Sequence, residues 1–62
     1  MAQQESSGLY IYRVSAIVGH GVYTLHAHGW SDEDALHRIS RRLHAEGHHL
    51  FTLSILDRKA IQ

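Results

Sequence analysis

The segment from Ser31 to Gly47 constrains the fold most, because it carries the signals of a helix at both of its ends. Ser31 is a residue type that caps helix N-termini, and Asp34 follows three positions later in a near capping box. The acidic run 32–34 suits the positive end of a helix dipole. Gly47 is the residue type that most often ends a helix in the left-handed conformation. The sequence therefore predicts one helix over about residues 32–46.

Apolar residues recur on one side of this helix only. Leu36, Ile39 and Leu43 stand at helical spacing, and Ala35 flanks them. That side is expected to pack against a core, while the opposite side faces solvent.

Three segments outside the helix have the composition of β-strands. Leu9–Val18 is rich in β-branched and aromatic residues and is apolar on both faces, which is typical of a central strand. The glycines at 19 and 21 favour a tight reversal into a return strand over 22–28. A third strand is predicted over Leu50–Leu56, after the helix.

The order of these elements predicts an α+β domain of the ββαβ type. Strand–helix–strand crossovers are right-handed in nearly all proteins, which places the third strand beside the first. We expect a three-stranded antiparallel sheet of order 2-1-3 over residues 9–56, with a flexible arm at 1–8 and a polar tail at 57–62. The helix is expected to cover one face of the sheet, formed by Tyr12, Val14, Ala16, Tyr23, Leu25, Ala27, Phe51, Leu53 and Ile55.

Length and composition exclude several classes of protein. A chain of 62 residues without cysteine has a small core and no disulfide or thiolate zinc site, so a partner subunit is an expected source of added stability. Six basic residues balance six acidic ones, which disfavours nucleic-acid binding. No apolar run reaches the length of a membrane span or a signal peptide. We expect a cytoplasmic protein with no membrane partner and no cofactor.

The sheet face away from the helix is the predicted partner-binding surface, because its apolar residues would be left exposed. The interpretation is a homodimer formed by this face or by strand edges, and the alternative is ordinary scattered surface residues. Trp30 precedes the helix cap and is expected to pack on Ala35 as a staple or to anchor a partner. The predicted partner-binding residues are Ile11, Arg13, Ile17, Val22, Thr24, Trp30, Leu50 and Leu56.

The outer side of the helix gives an alternative function, nucleic-acid binding. Its cationic residues could meet phosphates or an acidic protein, although the helix has no Asn or Gln to read bases. A solvated helix face is the plainer interpretation. The residues concerned are His37, Arg38, Arg41, Arg42 and His44.

A second alternative is a histidine-based metal or pH-sensing module. His26 and His28 lie two apart on a strand, so they share a face and could share a metal ion, with His20, His48 or His49 as further ligands. The seven histidines would also raise the net charge between about pH 7 and pH 5. Two solvated strand histidines are the ordinary interpretation.

Enzyme motifs are missing from the sequence. It has no cysteine, no G-x-S-x-G and no phosphate-binding loop, and three strands and a helix are too few to enclose a substrate. The sequence therefore favours a non-enzymatic accessory or regulatory factor that binds a larger protein and forms a homodimer.

The succession of a hairpin, S-D-E-D-A at 31–35, L-H-A-E-G at 43–47 and a strand resembles a known segment. It is similar to the short amino-terminal segment of inner-membrane platform proteins in bacterial pilus and type II secretion systems. The likeness covers roughly residues 12–55. It rests on Ala35, Leu36, Leu43 and Gly47, which are structural positions, so it implies no site residue.

Overall fold

The computed structural model describes residues 8–61. Within that range the chain forms a three-stranded antiparallel sheet and one helix, in the order ββαβ, with the strands arranged β2-β1-β3. The predicted α+β fold and strand order are confirmed. No helix in this range is long and apolar enough to cross a bilayer. The elements are β1 (Leu9–Val18), β2 (Gly21–Gly29), α1 (Asp32–Ala45) and β3 (Phe51–Ile61).

The helix begins and ends where the sequence predicts. Ser31 has an extended backbone, and its Oγ accepts a hydrogen bond from the backbone N–H of Asp34 at 3.1 Å. The Asp34 carboxylate accepts in turn from the backbone N–H of Trp30 at 2.9 Å. At the other end Glu46 is the C-cap and Gly47 has a φ of 96°, a region that favours glycine. Local signals alone therefore define this element.

The core lies between α1 and one face of the sheet. Gly29 allows this close approach, since a Cβ there would lie 2.9 Å from the backbone nitrogen of Ala35. The core is small, as expected for the length of the chain. Its buried apolar residues in the described range are Tyr12, Val14 and Ala16 from β1, and Ala35, Ile39 and Leu43 from α1.

The helix leaves the hairpin end of β2 uncovered. Tyr23 is predicted to lie under the helix, but 54% of its surface is exposed, so that prediction is wrong. In the last turn of α1 the His44 ring packs edge-on against Phe51 of β3, with 5.3 Å between ring centroids. The other residues predicted for the covered face are buried or half-buried.

The third strand differs from its prediction at both ends. It begins at Phe51 rather than Leu50, and residues 57–61, predicted as a polar tail, form its second half. A β-bulge interrupts its pairing with β1, since Val14 pairs with Ile55 and Arg13 pairs with Asp57. The predicted arm over 1–8, apart from Gly8, and the last tail residue lie outside the described range.

Arg58 explains why this polar stretch continues the strand. Its guanidinium lies 4.4 Å from the centroid of the Tyr10 ring, and its Nη1 donates to the Tyr12 hydroxyl at 3.4 Å. The same nitrogen lies 3.3 Å from Oδ1 of Asp32 at the start of α1. The hydrogen bond to Tyr12, the largest cause, raises the pKa of Arg58 above its ordinary value. Arg58 therefore holds the end of β3 to β1 and to the helix.

Candidate functional site

The face of the sheet opposite α1 is the largest candidate site, and we call it the open face. The strand register and the alternation of side chains define its members. They are Leu9, Ile11, Arg13, Ser15 and Ile17 from β1; Val22, Thr24, His26 and His28 from β2; and Thr52, Ser54, Leu56, Asp57, Lys59 and Ile61 from β3.

Apolar side chains occupy both ends of the open face. At the hairpin end Ile17 pairs with Val22, and Val22 leaves 70% of its surface exposed. At the opposite end Leu9 pairs with Ile61. Leu56, the extra residue of the bulge, is half exposed between them. Large apolar side chains thus reach solvent along the length of the sheet.

A charged row crosses the middle of the open face. Nη2 of Arg13 donates to Oδ2 of Asp57 at 2.6 Å, and both side chains are about half exposed. His26 pairs with Arg13 from the other side. In the next row Ile11 lies between His28 and Lys59. The face therefore carries charges of both signs within its apolar surroundings.

The structure brings together six of the eight predicted partner-binding residues. Trp30 and Leu50 are the exceptions, since they lie in the connections before α1 and before β3, with 59% and 86% of their surfaces exposed. The six on the open face are Ile11, Arg13, Ile17, Val22, Thr24 and Leu56.

Sequence reasoning missed three members of the open face because it assigned them to a tail. Asp57, Lys59 and Ile61 alternate along β3 beyond the bulge. The bulge shifts the alternation by one residue, so the pattern of residues 51–55 does not continue through them. One signal in the sequence could have indicated that the strand continues. Arg13 is the one charged residue of β1, and Asp57 is an acidic residue that could pair with it.

Four of the five residues predicted to meet nucleic acid line one cleft on the outer side of α1. It is an open groove of about 530 Å³ on the helix surface, bordered by Asp34, His37, Arg38, Arg41 and Arg42. His44 is not among them, because its ring packs against Phe51 and lies 5.6 Å from that of His49. We call this region the basic cleft.

One carboxylate, that of Asp34, partly neutralises the positive charge of the basic cleft. Arg38 Nε lies 3.4 Å from Oδ1 of Asp34. The backbone N–H of Trp30 is the main cause that lowers the pKa of Asp34, and Arg38 adds to it, so this carboxyl stays ionised. The other arginines of the cleft, Arg41 and Arg42, supply its net positive charge.

No further histidine or carboxylate in the described range lies beside the pair His26 and His28 to complete a metal site. His26 and His28 are both exposed on β2, as predicted. Within residues 8–61, however, no group of three or more histidine, cysteine or carboxylate side chains is placed to hold a metal ion. The structure therefore does not bring His20, His48 or His49 to the pair.

The chain matches no family model, and comparisons with curated proteins and with solved structures find no match either.

Proposed function

We propose that this protein is a small non-enzymatic accessory factor that binds proteins through its open face, and that its first partner is a second copy of itself. The observation that carries the proposal is the set of exposed apolar side chains around the Arg13–Asp57 pair. Large apolar side chains that are exposed together on one surface mark interaction sites in soluble proteins.

The small core supports a second copy as the occupant. In the described range the helix buries only one side of the sheet, which leaves the exposed apolar surface of Ile17, Val22 and Leu56 available to a partner. Chains of this size often gain the missing stability by oligomerising.

The charges of the open face suit a symmetric pair. In a twofold dimer each surface meets its own copy, so a face of one sign would repel itself. Here Asp57 of one copy can lie against Arg13 or Lys59 of the other, which supports a specific arrangement.

The size of the open face predicts a weak, reversible dimer. Three strands about 4.8 Å apart and about ten residues long give a footprint of roughly 14 Å by 33 Å, or about 460 Å². Two such faces together amount to about 900 Å², well below the roughly 1,600 Å² of a standard interface. A dimer of this size can exchange its second copy for a larger protein, which is what a regulatory factor requires.

Sedimentation equilibrium between about 10 µM and about 500 µM tests this proposal, since weak dimers dissociate in that range. We expect the apparent mass to rise from 7.0 kDa toward twice that value. Val22→Lys adds a charge to the open face and should remain monomeric. Ala45→Lys adds the same charge to an exposed helix position and should behave like the wild type. A mass of 7.0 kDa at every concentration would contradict the proposal.

The basic cleft supports a second candidate, the binding of a polyanion such as RNA or DNA. Residues three and four apart on a helix lie about 5–6 Å from each other, so Arg38, Arg41 and Arg42 can contact neighbouring phosphates. Without Asn or Gln on the helix, such binding would have little sequence preference.

Fluorescence polarisation with labelled single- and double-stranded oligonucleotides at low salt tests this candidate. Binding that falls on Arg41→Ala and is unchanged by Val22→Lys would support it. No binding to either oligonucleotide would reject it.

A further inference from the structure

A second cavity lies on the helix side of the sheet, away from both surfaces described so far. It occupies about 310 Å³ where the last turn of α1 leaves the hairpin end of β2 uncovered. Its floor is apolar, formed by Val18, Leu25 and Leu43, which are buried or half-buried. Its rim is formed by Tyr23, Glu46 and His48, which are exposed.

The size and the walls of this cavity suit one small organic group. Small-molecule sites begin at about 300 Å³, and most combine apolar walls with a few polar groups that fix orientation. A single aromatic ring fits such a volume. The rim offers the Tyr23 hydroxyl, the Glu46 carboxylate and the His48 imidazole as polar partners.

The electrostatics of the rim favour a ligand that carries a positive charge. Among the described residues that line the cavity, Glu46 is the only one of the types Asp, Glu, Lys and Arg. It is also the C-cap of α1, and the C-terminal end of a helix carries a partial negative charge that attracts cations. The ring of Tyr23 can add a cation–π contact. The arginines of the helix line the basic cleft instead.

We propose that this cavity binds a small amphipathic cation, with an apolar ring on Leu25 and Leu43 and an amine directed at Glu46. The site is on the opposite side of the sheet from the open face. It therefore requires neither a second copy nor the proposed protein partner, and its test is independent of self-association.

An NMR titration of the whole protein with 2-phenylethylamine and with 3-phenylpropionate, up to about 10 mM, tests the proposal, because one-ring ligands bind weakly. The two probes share a ring and differ in the sign of their charge. We expect saturable shifts of the methyl groups of Val18, Leu25 and Leu43 with the amine, and binding of the acid weaker by about threefold or more.

Glu46→Gln should weaken binding of the amine by about threefold, because the carboxylate is exposed and acts in high dielectric. Glu33→Gln removes the same charge from the far end of α1 and should leave the affinity for the amine unchanged. Equal affinity for both probes, shifts that map elsewhere, or no saturable shift of these methyl groups would overturn the proposal.

Discussion

Arg13 faces Asp57 across β1 and β3 because Leu56 is an extra residue in the third strand. Regular pairing after Val14 and Ile55 would set Leu56 opposite Arg13 and Asp57 opposite Tyr12, on the core side. Burying that carboxylate without a partner would be costly. The bulge places it on the open face against a guanidinium and turns Arg58 toward Tyr12 instead.

Asp57→Asn should weaken self-association by about threefold or more, because it leaves Arg13 and Lys59 as uncompensated cations on two facing surfaces. The monomer should lose no more than about 1 kcal/mol of unfolding free energy, since the ion pair is half exposed. Sedimentation and urea unfolding measure the two effects. Glu33→Gln is the matched loss of charge on the helix and should leave the dimerisation constant unchanged.

Arg58→Ala should loosen the end of β3. The guanidinium contacts the Tyr10 ring, the Tyr12 hydroxyl and Asp32, so its loss frees residues 58–61 from β1 and the helix. Amide hydrogen exchange there should accelerate by about tenfold. Lys59→Ala, one residue away on the open face, should leave the exchange rates near those of the wild type. Equal effects of the two variants would contradict the role given to Arg58.

Gly29→Ala should destabilise the protein by about 1–3 kcal/mol, because the new methyl group would meet the backbone and the Cβ of Ala35 within about 3 Å. Gly21→Ala is the control. There the three atoms nearest to the methyl group all belong to the exposed side chain of Tyr23, which can move aside. Urea unfolding should show a smaller loss for Gly21→Ala, and the reverse order would refute the packing described for the start of α1.

Asp34 should make stability depend on pH in the acid range. The Trp30 N–H lowers the pKa of Asp34 below its ordinary value of 3.8. The stabilisation is therefore complete above that value and is lost as the pH falls through the lowered pKa of the folded state. Asp34→Asn should unfold more easily at pH 7 and show a flatter loss of stability below pH 4 in urea melts. If the unfolding free energy of the variant fell with decreasing pH as steeply as that of the wild type, the role given to Asp34 would be contradicted.

The sequence predicts the helix and the central strand well because their signals are local, and the strand order follows from the handedness of the crossover. Ser31 and Gly47 mark the helix ends by their own backbone chemistry, and the apolar alternation of β1 identifies the central strand. The six predicted partner-binding residues that lie on the open face follow from the same alternation.

The errors arise where a contact distant in sequence decides the structure. The Asp57–Lys59 stretch is polar and reads as a tail, and only its contacts with β1 make it a strand. Tyr23 is exposed although it alternates with Leu25 on the helix side of β2, because the periodicity of the two elements does not encode how much of the strand the helix covers.

The concentration dependence of amide chemical shifts, followed from about 20 µM to about 1 mM, locates a weak contact residue by residue and so shows whether the open face binds a second copy. Self-association through the open face predicts shifts that grow with concentration in β1, β2 and β3 around Arg13, Ile17 and Val22. The amide shifts of His37 and Arg41, on the outer side of α1, should stay constant. Shifts confined to the helix, or none at any concentration, would show that the open face does not bind a second copy.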